Sequence, residues 1–290
     1  MRVQLAVVQM SADKGAVEVN LDRIAESARE AGRQGADLVL YPEGAVTGYF
    51  LEGGVSEVAM PAETLALKLT DRLLSTGTNT ELVIGFYEEE RGRPFNSAIH
   101  LLVDKGNCLV KNVYRKLFPP TYGVFDEGRF HAHGNQLGVL HTKVGKVGVL
   151  ICEDMWHSLP RTLLALSGCH TILVPAATPA RGFQSETPGN IERYERMMVG
   201  NSEEHGVFTA LSCLTGAEGN KLMAGGSLVV DPFGRKIAQA PSLGTHILMV
   251  PLETEDVARA QRQAPLLQDM RLRWEDMKKL VSETKIEDEP

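Results

Sequence analysis

A chain of 290 residues with 43% hydrophobic and 23% charged side chains has the make-up of a globular protein in water. At that length about three quarters of the unfolded surface can be buried, so a sizeable core is expected. A net charge of −7 without a Lys/Arg cluster argues against nucleic acid or an anionic membrane as partner.

No apolar run approaches the roughly 18 residues of a membrane span, and the N-terminus, "MRVQLAVVQMSADKG", turns polar too soon for a secretory signal. Cys108, Cys152, Cys169 and Cys213 lie far apart with no CxxC, which predicts free thiols and a cytoplasmic protein.

The chain opens with a buried strand, "RVQLAVVQ" (2–9), followed by a helix on which Leu21, Ile24, Ala25, Ala28 and Ala31 recur at helical spacing up to Gly35. "DLVLYPE" (37–43) is a second buried strand. Leu65, Leu69 and Leu73 mark a second helix, and "ELVIGFYEE" (81–89) a third strand. "NSAIHLLVD" and "CLVKNVYR" flank a "KGN" turn and predict a hairpin; "QLGVLHT" and "KVGVLICED" predict another about Val144 and Gly145. Between them residues 116–135 form a long aperiodic stretch whose aromatic content favours a packed functional loop.

Helix and strand then alternate: a helix near 158–167, "HTILVPA", a helix near 188–205, "GVFTALSC", "GGSLVVD", "KIAQA" and "THILMVPL". From about residue 253 the chain reads as a helical extension, with Val257, Leu266, Leu272, Trp274, Met277 and Leu280 as apolar anchors and a frayed acidic end, "KIEDEP". No linker divides the chain, so residues 1–290 are expected to form one layered α/β domain with mixed sheets.

There is no GxSxG, Walker A or GxGxxG motif. His131 and His133 form an HxH without further metal-ligand spacing and read as loop histidines; no metal is expected. Cys152 ends an apolar run and is followed by Glu153 and Asp154, carboxylates that disfavour a thiolate. It is either a core residue or a nucleophile whose partners come from elsewhere. His157, five residues on, reads as a surface or helix-capping residue rather than a catalytic base.

Three buried strands nevertheless run into an ionisable residue: Glu43 in "LVLYPEG", Lys116 in "NVYRKLF" and Cys152 in "VGVLICED". Singly, each has an ordinary reading as a loop carboxylate, a surface lysine and a core cysteine. Together they are what thiol attack on an amide requires: a base for the proton and a cation for the oxyanion. The backbone N–H of Glu153 is a candidate second oxyanion donor.

With "QLAVVQM", "GADLVLYPE", "YRKLF", "GVLICED" and "GGSLVVDPFGR" in this order, the chain resembles the nitrilase superfamily of carbon–nitrogen hydrolases over about residues 2–250. The resemblance implies a four-layer αββα sandwich, a Glu–Lys–Cys triad at Glu43, Lys116 and Cys152, a thioester intermediate and release of ammonia or an amine. It implies no cofactor and assembly into homodimers or larger homo-oligomers. It places Glu127 of "FDEGRF" beside Lys116, orienting the lysine and the attacking water.

"PPTYGVFDEGRF", "CEDMWH" and "ILVPAATPARG" are most similar to the glutaminase domain of glutamine-dependent NAD synthetases. On that resemblance Tyr122 and Thr178 hold the substrate, and Tyr49 and Arg181 line its pocket. No synthetase domain is present here, so the expected activity is that of a free-standing amidase or carbamoyl-amine hydrolase acting on a small amide. The alternatives are a glutaminase subunit supplying ammonia to a separate synthetase, and a silent binding protein of the same fold. The aromatic residues Phe118, Phe125 and Phe130 are read as loop packing, and Cys108, Cys169 and Cys213 as structural.

Overall fold

The computed structural model describes residues 1–74, 76–182 and 188–285. Its first half contains β1 (Arg2–Gln9), α1 (Val17–Arg33), β2 (Leu38–Leu40), α2 (Val55–Val58), α3 (Ala62–Leu73), β3 (Thr80–Glu90), β4 (Arg93–Asp104), β5 (Asn107–Arg115) and α4 (Glu127–Phe130). The second half contains β6 (Gly138–Thr142), β7 (Gly145–Val149), α5 (Ser158–Leu166), β8 (Thr171–Ala176), α6 (Gly189–His205), β9 (Phe208–Cys213), β10 (Thr215–Glu218), β11 (Lys221–Ala224), β12 (Leu228–Val230), β13 (Lys236–Gln239) and β14 (His246–Glu253). The helices α7 (Thr254–Gln263), α8 (Leu266–Leu272) and α9 (Trp274–Glu283) follow.

Two six-stranded mixed sheets form, ordered β14-β1-β2-β3-β4-β5 and β13-β12-β9-β8-β7-β6. Each has three parallel strands, β1-β2-β3 in one and β7-β8-β9 in the other, flanked by antiparallel neighbours. Side-chain alternation explains why β1 is apolar on both faces over Leu5–Val8. Val3, Leu5 and Val7 join the core shared with the second sheet, while Ala6 and Val8 join the core beneath α1 and α3. With α6 against β9 and β12 of the second sheet, the layers run helix, sheet, sheet, helix.

Several expectations shift. The strand expected over 37–43 pairs regularly only at Leu38–Leu40, although Tyr41 N–H still donates to Val83 O at 2.8 Å. Its tail turns inward because Gly85 on β3 has no side chain: a Cβ there would lie 2.3 Å from Pro42 O. The strand leading to Cys152 stops at Val149, three residues short. A hairpin absent from the sequence reading, β10–β11, joins β9 to β12. In the C-terminal extension Ala260 and Leu267 are buried, whereas Leu266, Leu272 and Leu280 are exposed, so those three do not anchor it. Of "KIEDEP", residues 286–290 lie outside the described residues.

Candidate active site

Glu43 follows β2 of the first sheet, Cys152 follows β7 of the second, and Lys116 follows β5. The carboxyl ends of parallel strands are where open α/β folds build sites, and here two sheets aim such ends at one another. The Lys116 backbone is clamped on both sides, its N–H donating to Asn96 O and its carbonyl accepting from Gly134 N–H, both at 2.8 Å. Gly134 permits this approach, since a Cβ there would lie 2.1 Å from Arg115 O.

Lys116 and Glu43 are 1% and 0% exposed, so their charges are held almost wholly away from water. Lys116 Nζ donates to Glu43 Oε1 at 2.8 Å and to Glu127 Oε1 and Oε2 at 2.7 and 3.0 Å. Asn96 Nδ2 donates to Glu43 Oε1 at 2.7 Å and to Glu127 Oε2 at 3.0 Å. Two carboxylates facing one amide settle its orientation, since the alternative flip would oppose oxygen to oxygen. Ala177 N–H, after β8, donates to Glu43 Oε2 at 2.8 Å, and the Tyr49 hydroxyl donates to Glu127 Oε1.

Burial pushes Glu43 up to about 7 against the pull of the Lys116 cation. Burial alone would lower Lys116, but Glu127 and Glu43 outweigh it and hold the ammonium well above its usual value. The lysine therefore stays charged, and Glu43 is poised to exchange a proton near neutrality.

Cys152 has φ +47°, a left-handed conformation that a residue with a Cβ adopts only under constraint. The two carboxylates that follow are drawn into separate contacts. Asp154 accepts from Tyr114 Oη at 2.7 Å, Leu117 N at 3.0 Å, Phe118 N at 2.9 Å and Ile151 N at 3.1 Å. It thus ties the lysine's segment to the cysteine's turn, and burial pushes its carboxyl up to about 6. The Glu153 side chain accepts from Tyr122 Oη at 2.8 Å. Burial first, then the charge of Glu43, push the Cys152 thiol well above its usual value; Lys116 and a 3.2 Å hydrogen bond from Tyr194 Oη pull the other way. The free site therefore holds a neutral thiol beside a base and a fixed cation.

Cys152 opens into a cavity of ≈ 520 Å³ shared with Tyr122, Glu153, Thr178, Arg181 and Arg193. Arg181 lies over the Phe125 ring at 5.2 Å and Arg193 over Trp156 at 4.4 Å. Thr178 Oγ1 accepts from Asn190 Nδ2 at 2.8 Å. Residues 183–187, between Arg181 and Asn190, lie outside the described residues.

Tyr49 is placed elsewhere than expected. It lies behind Glu127 rather than along the cavity of Cys152, because a buried phenol needs a partner and Glu127 supplies it. His157 is the residue before α5, makes no side-chain capping bond to it, and has its ring stacked on Phe118 at 3.9 Å. Nδ1 of His131 and of His133 lie 3.3 and 3.0 Å from the carbonyls of Glu127 and Leu117. Among the described residues no His, Cys, Asp and Glu cluster is arranged to hold a metal, and no helix is long and apolar enough to cross a membrane. Asn96 and Tyr194 were not singled out from the sequence: each sits inside a regular element at a position that reads as packing.

The family model for carbon–nitrogen hydrolase matches residues 4–262. A glutamine-dependent NAD(+) synthetase of Acinetobacter baylyi is 31% identical over 248 residues, which cover 82% of this chain and 42% of the synthetase. The chain thus spans less than half of that relative. A citrullinase of Francisella tularensis is 29% identical over 272 residues, covering 90% of this chain and 91% of that one. An amidase of Nesterenkonia sp. AN1, solved as a double mutant with acrylamide, superposes with a TM-score of 0.75 at 25% identity, covering 95% of this chain and 96% of that one.

Proposed function

Because the chain belongs to the carbon–nitrogen hydrolase family, we propose that it hydrolyses a non-peptide carbon–nitrogen bond in a small linear amide or carbamoyl amine, with Cys152 as nucleophile, and releases ammonia. The observation that carries this reading is the hydrogen-bonded set of Glu43, Lys116, Glu127 and Asn96, whose charged members act on a buried, conformationally constrained thiol.

The thiol is neutral at rest, so its proton passes to Glu43 as sulfur attacks the carbonyl carbon. Lys116 and the backbone N–H of Glu153 stabilise the developing oxyanion. The tetrahedral adduct collapses with cleavage of the C–N bond. Glu43 returns the proton to the departing nitrogen, leaving a thioester on Cys152. Water then attacks that thioester while Glu43 accepts its proton, and the acid leaves as the thiol re-forms. Glu127 holds Lys116 from the far side throughout.

Base action requires Glu43 ionised in the free protein, and burial pushes it up to about 7. As pH falls through that value the carboxylate gains a proton, so kcat/KM is expected to drop about tenfold per pH unit below it. A kcat/KM profile flat between about pH 5 and pH 8 would remove Glu43 from the role of base.

The cavity joins two guanidinium groups to the Glu153 carboxylate, which suits an amide carrying both a carboxylate and an ammonium group. Similarity to the citrullinase and to the synthetases supports ureido acids and L-glutamine among the candidates. The test is ammonia release across simple amides, ureido acids, nitriles and L-glutamine. Amino-acid amides or ureido acids are expected to lead, with Arg193→Met raising KM about tenfold at nearly unchanged kcat. Preference for an uncharged amide, indifferent to Arg193, would overturn the substrate assignment.

A second reading, a glutaminase subunit delivering ammonia to a separate synthetase, is supported by the similarity to the glutamine-dependent synthetase of Acinetobacter. Co-purification with an ATP-dependent synthetase would mark it. The proposal includes a homodimer or larger homo-oligomer, supported by the exposed Leu266, Leu272, Leu280 and Val281 along the C-terminal helices.

A further inference from the structure

Glu127 borders a second cavity, a chamber of ≈ 100 Å³ lined also by Tyr49, Tyr87, Phe125 and His131. Glu127 borders this chamber and not the cavity containing Cys152. His131 is only 7% exposed, and its Nε2 has no hydrogen-bond partner among the described residues. Its other nitrogen, Nδ1, lies 3.3 Å from the Glu127 carbonyl, which can only accept. The proton therefore sits on Nδ1, and Nε2 is a bare acceptor in a buried space. Burial holds the imidazole below its ordinary pKa, which keeps it neutral.

An unmet acceptor of this kind costs about 1–3 kcal/mol unless a donor reaches it. The chamber has room for a water molecule, which needs two or more polar partners to reside there. The Glu127 carboxylate cannot readily supply one. Its four lone-pair sites already accept twice from Lys116, once from Asn96 and once from Tyr49. The Tyr49 oxygen has committed its own proton to Glu127 and retains acceptor capacity.

We infer that an ordered water occupies the chamber, donating one proton to His131 Nε2 and the other to the Tyr49 oxygen, and that His131 is thereby a positioning residue for the Tyr49–Glu127–Lys116 chain. The water fixes the phenol with its O–H toward Glu127, and Glu127 in turn holds the ammonium toward the reacting carbonyl. Hydrogen bonds in such a chain polarise one another, so the far end contributes to the near one. This deepens the hydrolase reading and rests on it for its consequence in turnover, though not for the water itself.

High-resolution crystal structures of the wild type and of His131→Phe test occupancy directly. Density for a water within hydrogen-bonding distance of Nε2 and Tyr49 is expected in the first and not in the second. In turnover, His131→Phe is expected to lower kcat about tenfold with KM within about twofold, because a misplaced cation harms the transition state more than the bound substrate. His131→Gln, whose amide oxygen can accept from the water, should recover most of that loss. In a Tyr49→Phe background His131→Phe should add nothing further. A dry chamber in the wild type, equal losses in both backgrounds, or a His131→Gln variant as impaired as His131→Phe would overturn the inference. If no amide is turned over, the hydrolase reading fails while the density still decides the water.

Discussion

Cys152→Ala is expected to reduce ammonia release at least about 10⁴-fold while leaving the protein folded, since Cys108, Cys169 and Cys213 do not line that cavity. The backbone strain at φ +47° persists with alanine, so the change does not relax the turn. It does remove the acceptor for Tyr194 Oη, whose residue is 1% exposed, and stranding that hydroxyl costs about 1–3 kcal/mol. Cys152→Ser separates the two effects. The serine oxygen can accept from Tyr194 and should return most of the stability, yet a hydroxyl is a far weaker nucleophile and turnover should stay lost. Urea unfolding and ammonia assays on both variants, with intact-mass detection of an acyl adduct on the wild type alone, form the measurement. An alanine variant that keeps substantial turnover would remove Cys152 from the chemistry.

Lys116→Met carries the second large effect, on both stability and rate. It removes the cation paired with both Glu43 and Glu127 and leaves two carboxylates buried, a change expected to destabilise by roughly 3–5 kcal/mol. The pH dependence identifies the cause. Without the ammonium, which pulls it down, Glu43 shifts further upward in the folded state, so that state binds more protons than the unfolded chain between the unfolded and folded pKa values. Stability then declines as pH rises through that window, and the deficit against wild type should be larger near about pH 8 than near about pH 5. Loss of the oxyanion's cation should lower kcat by about 10²–10³ in addition. Urea midpoints at the two pH values, with kcat measured where the variant is still folded, test it. A pH-independent deficit would mean lost packing rather than uncompensated charge.

The sheets were legible because a strand buried on both faces carries an unbroken apolar run, as "LAVV" and "ILVPA" do, and an ionisable residue at the end of such a run stands out. That is why Glu43 and Cys152 could be singled out from one sequence; β5, before Lys116, is a half-exposed edge strand and not the buried one expected, because it has a neighbour on one side only. Asn96 could not: it interrupts nothing in β4, and its bridging of two carboxylates arises only when β2 and the loop after β5 converge on it. Tyr194 is an aromatic on the buried face of α6, where packing is the ordinary reading until its hydroxyl is seen on sulfur. Asp154 looked like an electrostatic objection to a thiol, and its contacts with Leu117 and Phe118 make it the tie between two segments instead. The β10–β11 hairpin was missed because two four-residue strands are too short for a periodic signal, yet its Glu218 accepts from the backbone N–H groups of Tyr49 and Phe50 at 3.0 Å.

Glu43 leaves one sheet and Cys152 the other, so neither sheet carries a working pair. The distance from base to thiol is set by how the two sheets seat on one another, through Leu5, Val7, Leu40 and their partners in the shared core. A relative slip of about 1 Å would leave every strand paired and every helix formed, yet part the proton from its acceptor. The sandwich interface is in this sense an alignment gauge: methyl groups that never meet substrate determine the reach of a proton transfer, and turnover will register wear in that seam before any measure of secondary structure does.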